Sequence, residues 1–409
     1  MSTLREQPLN VVNEDAWRRA ETAVVALVTV VIGMRLNLTH LISLGNVLSL
    51  ILLPAWVSYL PRYRGARTVL VLGACAAVSG VVLTVLASDD HAIGYGTMLN
   101  NTALLVGLLL NVGFLLWARS HLSDQLLVVL FGLGVILGVS PADTLFASGA
   151  WKFGYATGVT LVVLGLAQWS RSRALELAVV AVLIGVSAVT DSRSALGILL
   201  LVAALLVWQL RPVPIRGRSA LRGVLSLTVA AAAAYVVGQA LIVAGYLGRE
   251  TRARSLEQLN ESGSLILGGR PEIAATAALW RDNPFGYGSG THINHHDLVV
   301  AKTGMASLHY DPNNGYVEKY MFGTTYELHS FLGDLWSRFG LLGLALGVVM
   351  LVLITRRMGM IVTAGVTSAA WWYLATRSLW NLFFSPWYAS IGLMTLTLAL
   401  VLIERPPPP

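Results

Sequence analysis

Residues 69–86 read VLVLGACAAVSGVVLTVL, an apolar run about as long as an α-helix needs to cross a bilayer. Residues 196–210 form a second run of this kind. Of the 409 residues, 56% are hydrophobic and 12% are charged, whereas soluble domains carry roughly 25% charged residues. The leucine, valine and alanine content also excludes the weak alternating pattern of an outer-membrane barrel. The sequence therefore predicts an all-α polytopic membrane protein.

Apolar runs and the loops between them predict about twelve transmembrane helices, the first of them a retained span because no small-residue cleavage site follows it. Arginines collect in alternate loops, which the positive-inside rule places in the cytoplasm together with both termini. These residues are Arg18, Arg19, Arg62, Arg64, Arg67, Arg119, Arg171, Arg173, Arg211, Arg216, Arg218, Arg222, Arg356 and Arg357. The net charge of +7 is therefore attributed to orientation in the cytoplasmic (inner) membrane and not to nucleic-acid binding.

The predicted chain has four parts. Residues 1–247 form an N-terminal bundle of about nine helices, and residues 338–405 form about three more. Between them, residues 248–337 form one large external loop domain that holds nearly all of the polar side chains. Four prolines at 406–409 make a short tail, because proline cannot continue a helix.

Two arginines are predicted at helix starts on the outer face. Pro271 favours the first turn of a helix, so Arg270 stands beside free backbone N–H groups that attract anions. Arg193 repeats this arrangement, since Asp191 or Ser192 can cap the helix that it begins. Guanidinium groups grip phosphate through paired hydrogen bonds. The alternatives are a surface ion pair for Arg270 and an interfacial arginine for Arg193.

His329 precedes an outer-face helix start and is a candidate proton acceptor near neutral pH. Glu327 and Asp334 are rival bases, although Asp334 and Arg338 have the spacing of an ordinary helix ion pair. A structural, hydrogen-bonded histidine is the alternative.

One cluster has metal-ligand chemistry, namely His292, His295, His296 and Asp297, which would suit zinc in a polytopic metalloprotease. Its spacing matches no zinc motif, so a solvated polar loop is preferred and no metal or other cofactor is expected. Arginines are then the natural counter-charge for a diphosphate.

Three motifs in order resemble the O-antigen ligase and polymerase superfamily of membrane glycosyltransferases, which are similar in architecture to the glycosyltransferase C type. They are Ser192-Arg193-Ser194-Ala195, then Arg270 with Trp280 and NPFGYGSG at 283–290, then His329-Ser330-Phe331-Leu332 leading to FGLLG at 339–343.

The resemblance implies inverting, metal-independent transfer of a glycan from an undecaprenyl diphosphate carrier to an acceptor hydroxyl, as in lipopolysaccharide and other cell-envelope synthesis. It assigns Arg193 and Arg270 to the donor diphosphate and His329 to the acceptor hydroxyl. Asn381 and nearby Arg377, in the last external loop, are supporting candidates, as are Trp280 and Glu327. Ligase and polymerase share this chemistry, and both alternatives stay open.

A transporter or flippase of lipid-linked glycan is the alternative from another class. Such proteins place ionisable residues deep inside their spans. Here the predicted span interiors are nearly free of charge, with Arg377 as the main exception. The enzyme hypothesis is therefore preferred.

Overall fold

The computed structural model describes residues 9–38, 42–142, 144–210, 220–245, 252–253, 255–256, 259, 269–323, 325–364 and 367–406. Within these ranges every regular element is helical, and extended backbone pairs only at three isolated bridges. The predicted all-α class is confirmed for this part of the chain. Of the predicted proline tail, residues 407–409 lie outside the described ranges.

In its described ranges, the first part of the chain is a series of helices. They are α1 (Leu9–Met34), α2 (Leu44–Ile51), α3 (Leu53–Val57), α4 (Ala66–Leu86), α5 (Tyr95–Ala118), α6 (Asp124–Leu137), α7 (Thr144–Ser148), α8 (Ala156–Trp169), α9 (Arg173–Val189), α10 (Arg193–Gln209) and α11 (Ala220–Val243). The chain bends by 64° between α2 and the helical stretch that begins at Leu53. Pro54 lies in the first turn after this bend, where its missing N–H is tolerated.

Five further helices complete the described part. They are α12 (Glu272–Asp282), α13 (His295–Ala306), α14 (Phe331–Ala364), α15 (Ala369–Phe384) and α16 (Trp387–Val401). α14 is broken at Gly340, whose φ of 65° and ψ of −152° are not helical. The break lets another backbone approach closely, because a Cβ there would lie 2.6 Å from the Phe285 carbonyl oxygen.

Several helix starts follow from their capping residues. At four of them a serine hydroxyl accepts a hydrogen bond from the backbone N–H three residues later, which satisfies one of the free donors of the first turn. These serines are Ser43, Ser123, Ser172 and Ser368. α13 begins with a capping box between Asn294 and Asp297.

Two apolar clusters hold the described residues together. The larger one joins α1, α4–α6, α8–α10 and α14–α16. In the second, every buried member lies between Ala275 and Trp336. The segment that was predicted to carry the polar chemistry therefore builds a small core of its own. The predicted domain boundaries at 247 and 337 and the external position of residues 248–337 stay predictions.

In the described ranges, three helices are long and apolar enough to cross a membrane, at Ala66–Asp89, Tyr95–Ala118 and Phe331–Val362. A fourth crossing results if the bent pair Leu44–Ile51 and Leu53–Arg62 counts as one span. The structure thus supports a membrane protein with three or four candidate spans in its described part. The structure does not support the twelve spans that the sequence predicts.

One end of the helix bundle carries arginines and is called the basic end here. The Arg64 N–H donates to the Ile403 carbonyl over 2.9 Å, and the Arg405 N–H donates to the Arg62 carbonyl over 2.6 Å. Arg119 Nη1 donates to the Leu402 carbonyl over 2.9 Å. The loop before α4, the end of α5 and the end of α16 therefore meet at this end.

The opposite ends of the same helices meet residues 269–330, and we call this the polar end. The Gly94 N–H, just before α5, donates to the Gly290 carbonyl over 2.8 Å. The Trp387 N–H at the start of α16 donates to Asp334 Oδ2 over 2.9 Å.

The stretch NPFGYGSG at 283–290 crosses between α4 and the break in α14. Gly288 has a φ of +114°, and a Cβ at this position would lie 2.4 Å from the Thr84 nitrogen. The Ser289 N–H donates to the Gly80 carbonyl over 3.0 Å, and the Gly290 N–H donates to Thr84 Oγ1 over 2.9 Å. Glycine is therefore required at position 288, because its φ is positive and there is no room for a Cβ. Residues 283–290 thus attach residues 269–330, which we call the polar segment, to the helices.

Candidate active site

His329 lies two residues before α14 in a positive-φ conformation of 50°. Its Nδ1 is buried and has no hydrogen-bond partner in the described part of the chain. Its ring lies 6.0 Å from the ring of Tyr316, tilted by 31°.

Tyr316 connects His329 to Arg270. Its hydroxyl donates to Glu272 Oε1 over 2.5 Å. Burial raises the pKa of the Tyr316 hydroxyl, the Glu272 carboxylate raises it further, and the charge of Arg270 lowers it in part. Two of the predicted site residues, His329 and Arg270, therefore lie near Tyr316, and we call these residues the histidine cluster (Arg270, Glu272, Tyr316 and His329).

Arg270 stands where its proline neighbour predicted it. Pro271 is the N-cap residue of α12, and the helix begins at Glu272. Arg270 is half-buried. The first N–H groups of α12 and the guanidinium therefore lie close together in the chain, which is the arrangement that favours an anion.

Arg193 is the first residue of α10. Its Nη1 donates to Ser255 Oγ over 3.1 Å, and its Nε lies 3.7 Å from Asp191 Oδ1. Ser192 is the N-cap residue, but its hydroxyl bonds to Thr190 and does not cap the helix. Arg193 thus contacts Ser255 and Asp191, and neither of these residues belongs to the histidine cluster.

Trp280 is a packing residue. Its ring lies 5.1 Å from the ring of Trp336, and it packs against the second apolar cluster. The Trp336 Nε1–H donates to the Pro284 carbonyl over 3.0 Å. Trp280 therefore supports the start of the 283–290 stretch.

Asn381 lies inside α15, which corrects its predicted place in a loop, and Arg377 lies in the same helix. The helix continues to Phe384, because the stop signal is Pro386, which disfavours helix only at the residue before it. Asn381 is buried, and its Oδ1 accepts a hydrogen bond from Ser385 Oγ over 3.0 Å. Arg377, one turn earlier, is half-buried.

The predicted ion pair of Asp334 and Arg338 is present but buried. Arg338 Nη1 lies 3.2 Å from Asp334 Oδ1, with side chains 2% and 0% exposed. Asp334 also accepts the N–H groups of Leu328 over 2.8 Å and of Trp387 over 2.9 Å. Each carboxylate oxygen accepts a backbone N–H, so Asp334 holds the backbone at this point, and its role as a rival base stays a prediction.

A cleft of about 490 Å³ opens at the polar end between the start of α5, the start of α16 and the loop before α14. Its lining includes Asn100, Asn101, Thr325, Glu327, Arg338 and Trp387. Burial raises the pKa of the Glu327 carboxyl above its ordinary value, Arg338 lowers it in part, and Asp334 raises it further. His329 also acts on this carboxyl, so the cleft adjoins the histidine cluster.

Two of the four residues of the possible metal cluster, Asp297 and His296, have different partners. Asp297 Oδ2 lies 2.8 Å from His91 Nε2 and accepts from the Tyr326 hydroxyl over 2.5 Å. His296 Nε2 lies 3.1 Å from Asp282. In the described ranges, no three His, Cys, Asp or Glu side chains are grouped as metal ligands. The arrangement required by the metalloprotease alternative is thus not found there.

Sequence reasoning missed His91, Tyr316 and the burial of Arg338. His91 was detectable only as a histidine beside Asp90 in a short turn. Tyr316 belongs to no motif. Arg338 was visible as an arginine at the outer end of an apolar helix, but its spacing from Asp334 indicated an ordinary surface pair.

The chain was compared with protein-family models, with curated proteins and with solved structures, and none of the three comparisons gave a match.

Proposed function

We propose that the protein is a membrane glycosyltransferase of the O-antigen ligase or polymerase type, acting on an undecaprenyl diphosphate-linked glycan. The observation that supports the proposal most directly is the histidine cluster. It combines a guanidinium at a helix start with an imidazole whose Nδ1 has no described partner. Groups suited to binding an anion and to positioning or deprotonating a hydroxyl, as this reaction requires, thus lie near one another.

In the proposed reaction an acceptor sugar hydroxyl attacks the anomeric carbon of the donor glycan with inversion. The bond from that carbon to the diphosphate breaks, and negative charge develops on the leaving lipid diphosphate. Arg270 and the N-terminal N–H groups of α12 stabilise this charge, with Arg193 as a second guanidinium. His329 positions the acceptor hydroxyl or takes its proton.

The proposed topology has twelve crossings, with both termini in the cytoplasm and residues 248–337 as an external domain on the outer face of the inner membrane. Before this domain, α4, α5 and the bent pair α2–α3 are long and apolar enough to cross, and the other crossings are proposed from the apolar runs of the sequence. α14, α15 and α16 follow it. The separation of the arginine-rich basic end from the polar end supports this orientation through the positive-inside rule.

The proposal is tested with the purified full-length protein. It is incubated with an undecaprenyl diphosphate-linked glycan and candidate acceptors, with and without chelator, and product size is followed. A ladder of products indicates a polymerase, and a single transferred adduct indicates a ligase. Unchanged donor with every acceptor class would count against both.

The site assignment is tested by substitution. Arg270→Ala and Arg193→Ala are each expected to lower turnover at least a hundredfold, because each removes charge stabilisation of the leaving group. Arg281→Ala, at the other end of α12 and exposed, is the matched control and keeps full activity. Activity that survives in the Arg193/Arg270 double variant would refute the assignment.

A further inference from the structure

The cleft at the polar end contains unsatisfied polar atoms on three of its lining residues. Arg338 Nε, Thr325 Oγ1 and Trp387 Nε1 are buried and have no hydrogen-bond partner in the described part of the chain. The three side chains are 1%, 6% and 1% exposed. Buried donors without partners are unfavourable and uncommon in native proteins. Their concentration around one open cleft indicates a ligand with several oxygen atoms.

The charges of the cleft indicate what kind of ligand this is. Arg338 is neutralised by Asp334, and Glu327 adds a second carboxyl to the wall. No surplus of positive charge therefore remains for a diphosphate. Glu327 and the side-chain amide of Asn100 can accept hydrogen bonds, while the unsatisfied groups donate them. A sugar matches this mixture, because each hydroxyl both donates and accepts.

The size and the aromatic wall agree with a sugar. A volume of about 490 Å³ falls within the range of small-molecule sites, roughly 300–1,000 Å³. Tyr388 lines the cleft and is 42% exposed, so its ring offers an apolar face to the C–H groups of a pyranose.

We infer that this cleft is the acceptor-sugar subsite, in which Glu327 takes the proton of the attacking hydroxyl while Arg338, Thr325 and Trp387 hold other oxygens of the same sugar. The inference rests on the proposed function and assigns the base that the sequence left open. The acceptor O–H bond breaks as its oxygen bonds to the anomeric carbon. The electron pair of the broken anomeric bond leaves with the diphosphate, and the proton stays on Glu327.

The surroundings of Glu327 suit this role. Arg338, Asp334 and His329 are the charged and titratable groups that act on its carboxyl. Burial is the largest influence and raises its pKa, which makes the ionised form a stronger base. Because only the ionised form accepts a proton, the rate rises as the pH increases through the pKa of Glu327. His329 then acts as a positioning residue.

Binding is tested by saturation-transfer NMR on the full-length protein, with methyl pyranosides of glucose, galactose, mannose and N-acetylglucosamine as probes. At least one glycoside is expected to bind the wild type and the control Arg281→Gln. Thr325→Val, which keeps the packing, and Trp387→Phe, which keeps an aromatic ring in the core but removes the indole N–H, are expected to weaken that binding at least threefold. Binding of no glycoside, equal binding by both variants, or displacement of the glycoside by inorganic pyrophosphate would overturn the inference.

The base is tested in the transfer assay. Glu327→Gln is expected to lower kcat at least a hundredfold and to leave a residual rate without the rise with pH, while Thr325→Val raises the KM of the acceptor. Transfer that is unchanged in both variants overturns the inference and leaves the proposed function intact. Glycoside binding that depends on Thr325 and Trp387, without transfer from any donor, supports the sugar subsite and overturns both the proposed function and the base assignment.

Discussion

Asp297 and Asp334 are buried carboxylates that join parts of the chain far apart in sequence. Asp334 accepts the N–H groups of Leu328 and Trp387. Asp297 accepts the Tyr326 hydroxyl and contacts His91, 206 residues earlier. A buried carboxylate with this many partners costs more to remove than a surface ion pair, because its partners are left unsatisfied.

His91 gives the Asp297 site a dependence on pH. Burial alone would lower the pKa of His91, but hydrogen bonds with Asp90 and Asp297 outweigh burial, and the pKa is raised. A histidine whose folded pKa exceeds its unfolded value of about 6.5 stabilises the fold fully below that value. This stabilisation is lost as the pH rises through the folded pKa.

We therefore predict that His91→Gln lowers the thermal unfolding midpoint more at about pH 6 than at about pH 9. The exposed His295 has no described partner, and His295→Gln is the control, with little change at either pH. Asp297→Asn should destabilise the protein by about 3 kcal/mol, whereas Asn at the exposed Asp89 should not. An equal midpoint loss for His91→Gln at both pH values would contradict the pairing.

For single residues, the sequence predicts which side chains can carry out chemistry better than it predicts which residues they contact. His329 and Arg270 were identified because a histidine before a helix and an arginine before Pro271 have recognisable local consequences. Tyr316, which connects them, gave no local signal, because its role depends on tertiary packing. The same holds for Arg338. Its spacing from Asp334 predicted the ion pair, but burial is decided by which helix ends meet there.

The stretch at 283–290 is the element that anchors the polar segment. Gly286 and Gly288 both have positive φ, and a Cβ on either would collide with helix backbone. For Gly286 the colliding atom is the Trp336 carbonyl oxygen at 2.5 Å, and for Gly288 it is the Thr84 nitrogen at 2.4 Å. Helix backbone cannot move aside as a flexible side chain can.

Gly288→Ala is predicted to destabilise the protein by about 3 kcal/mol or more, through backbone strain and overpacking together. Gly315→Ala separates the two causes, because Gly315 has a φ of +81° and open space where its Cβ would be. It should cost only about 1 kcal/mol. Thermal unfolding in detergent measures both. Similar losses for the two variants would show that the collision with α4 does not contribute.

Helices were predictable as elements wherever an apolar run required internal hydrogen bonding of its backbone. The end of α12 at Asp282 was likewise predictable from Pro284. The continuation of α15 through Asn381 was not predictable. Asn381 is a polar residue of a type common in loops, although its backbone belongs to the helix. The path of residues 283–290 between two helices also required tertiary information.

At the scale of the whole molecule, the contacts separate two ends. Arg62, Arg64, Arg119 and Arg405 lie at the basic end, where the loop before α4 meets the end of α16. The polar end holds the cleft and the histidine cluster. If the bundle spans the inner membrane, the positive-inside rule places the basic end in the cytoplasm, and the carrier-linked glycan of the proposed function reaches the polar end from outside.

This orientation predicts a pattern of cysteine labelling. The only cysteine, Cys75, is replaced by serine, and single cysteines are introduced at the exposed positions Asp89 and His309 of the polar end and Arg64 and Arg405 of the basic end. A membrane-impermeant maleimide should react with Asp89→Cys and His309→Cys in intact cells stripped of their outer envelope. Arg64→Cys and Arg405→Cys should react only after permeabilisation. α4 joins positions 64 and 89, so labelling of both from the same side would show that this helix does not cross, and the proposed site would lose its membrane setting.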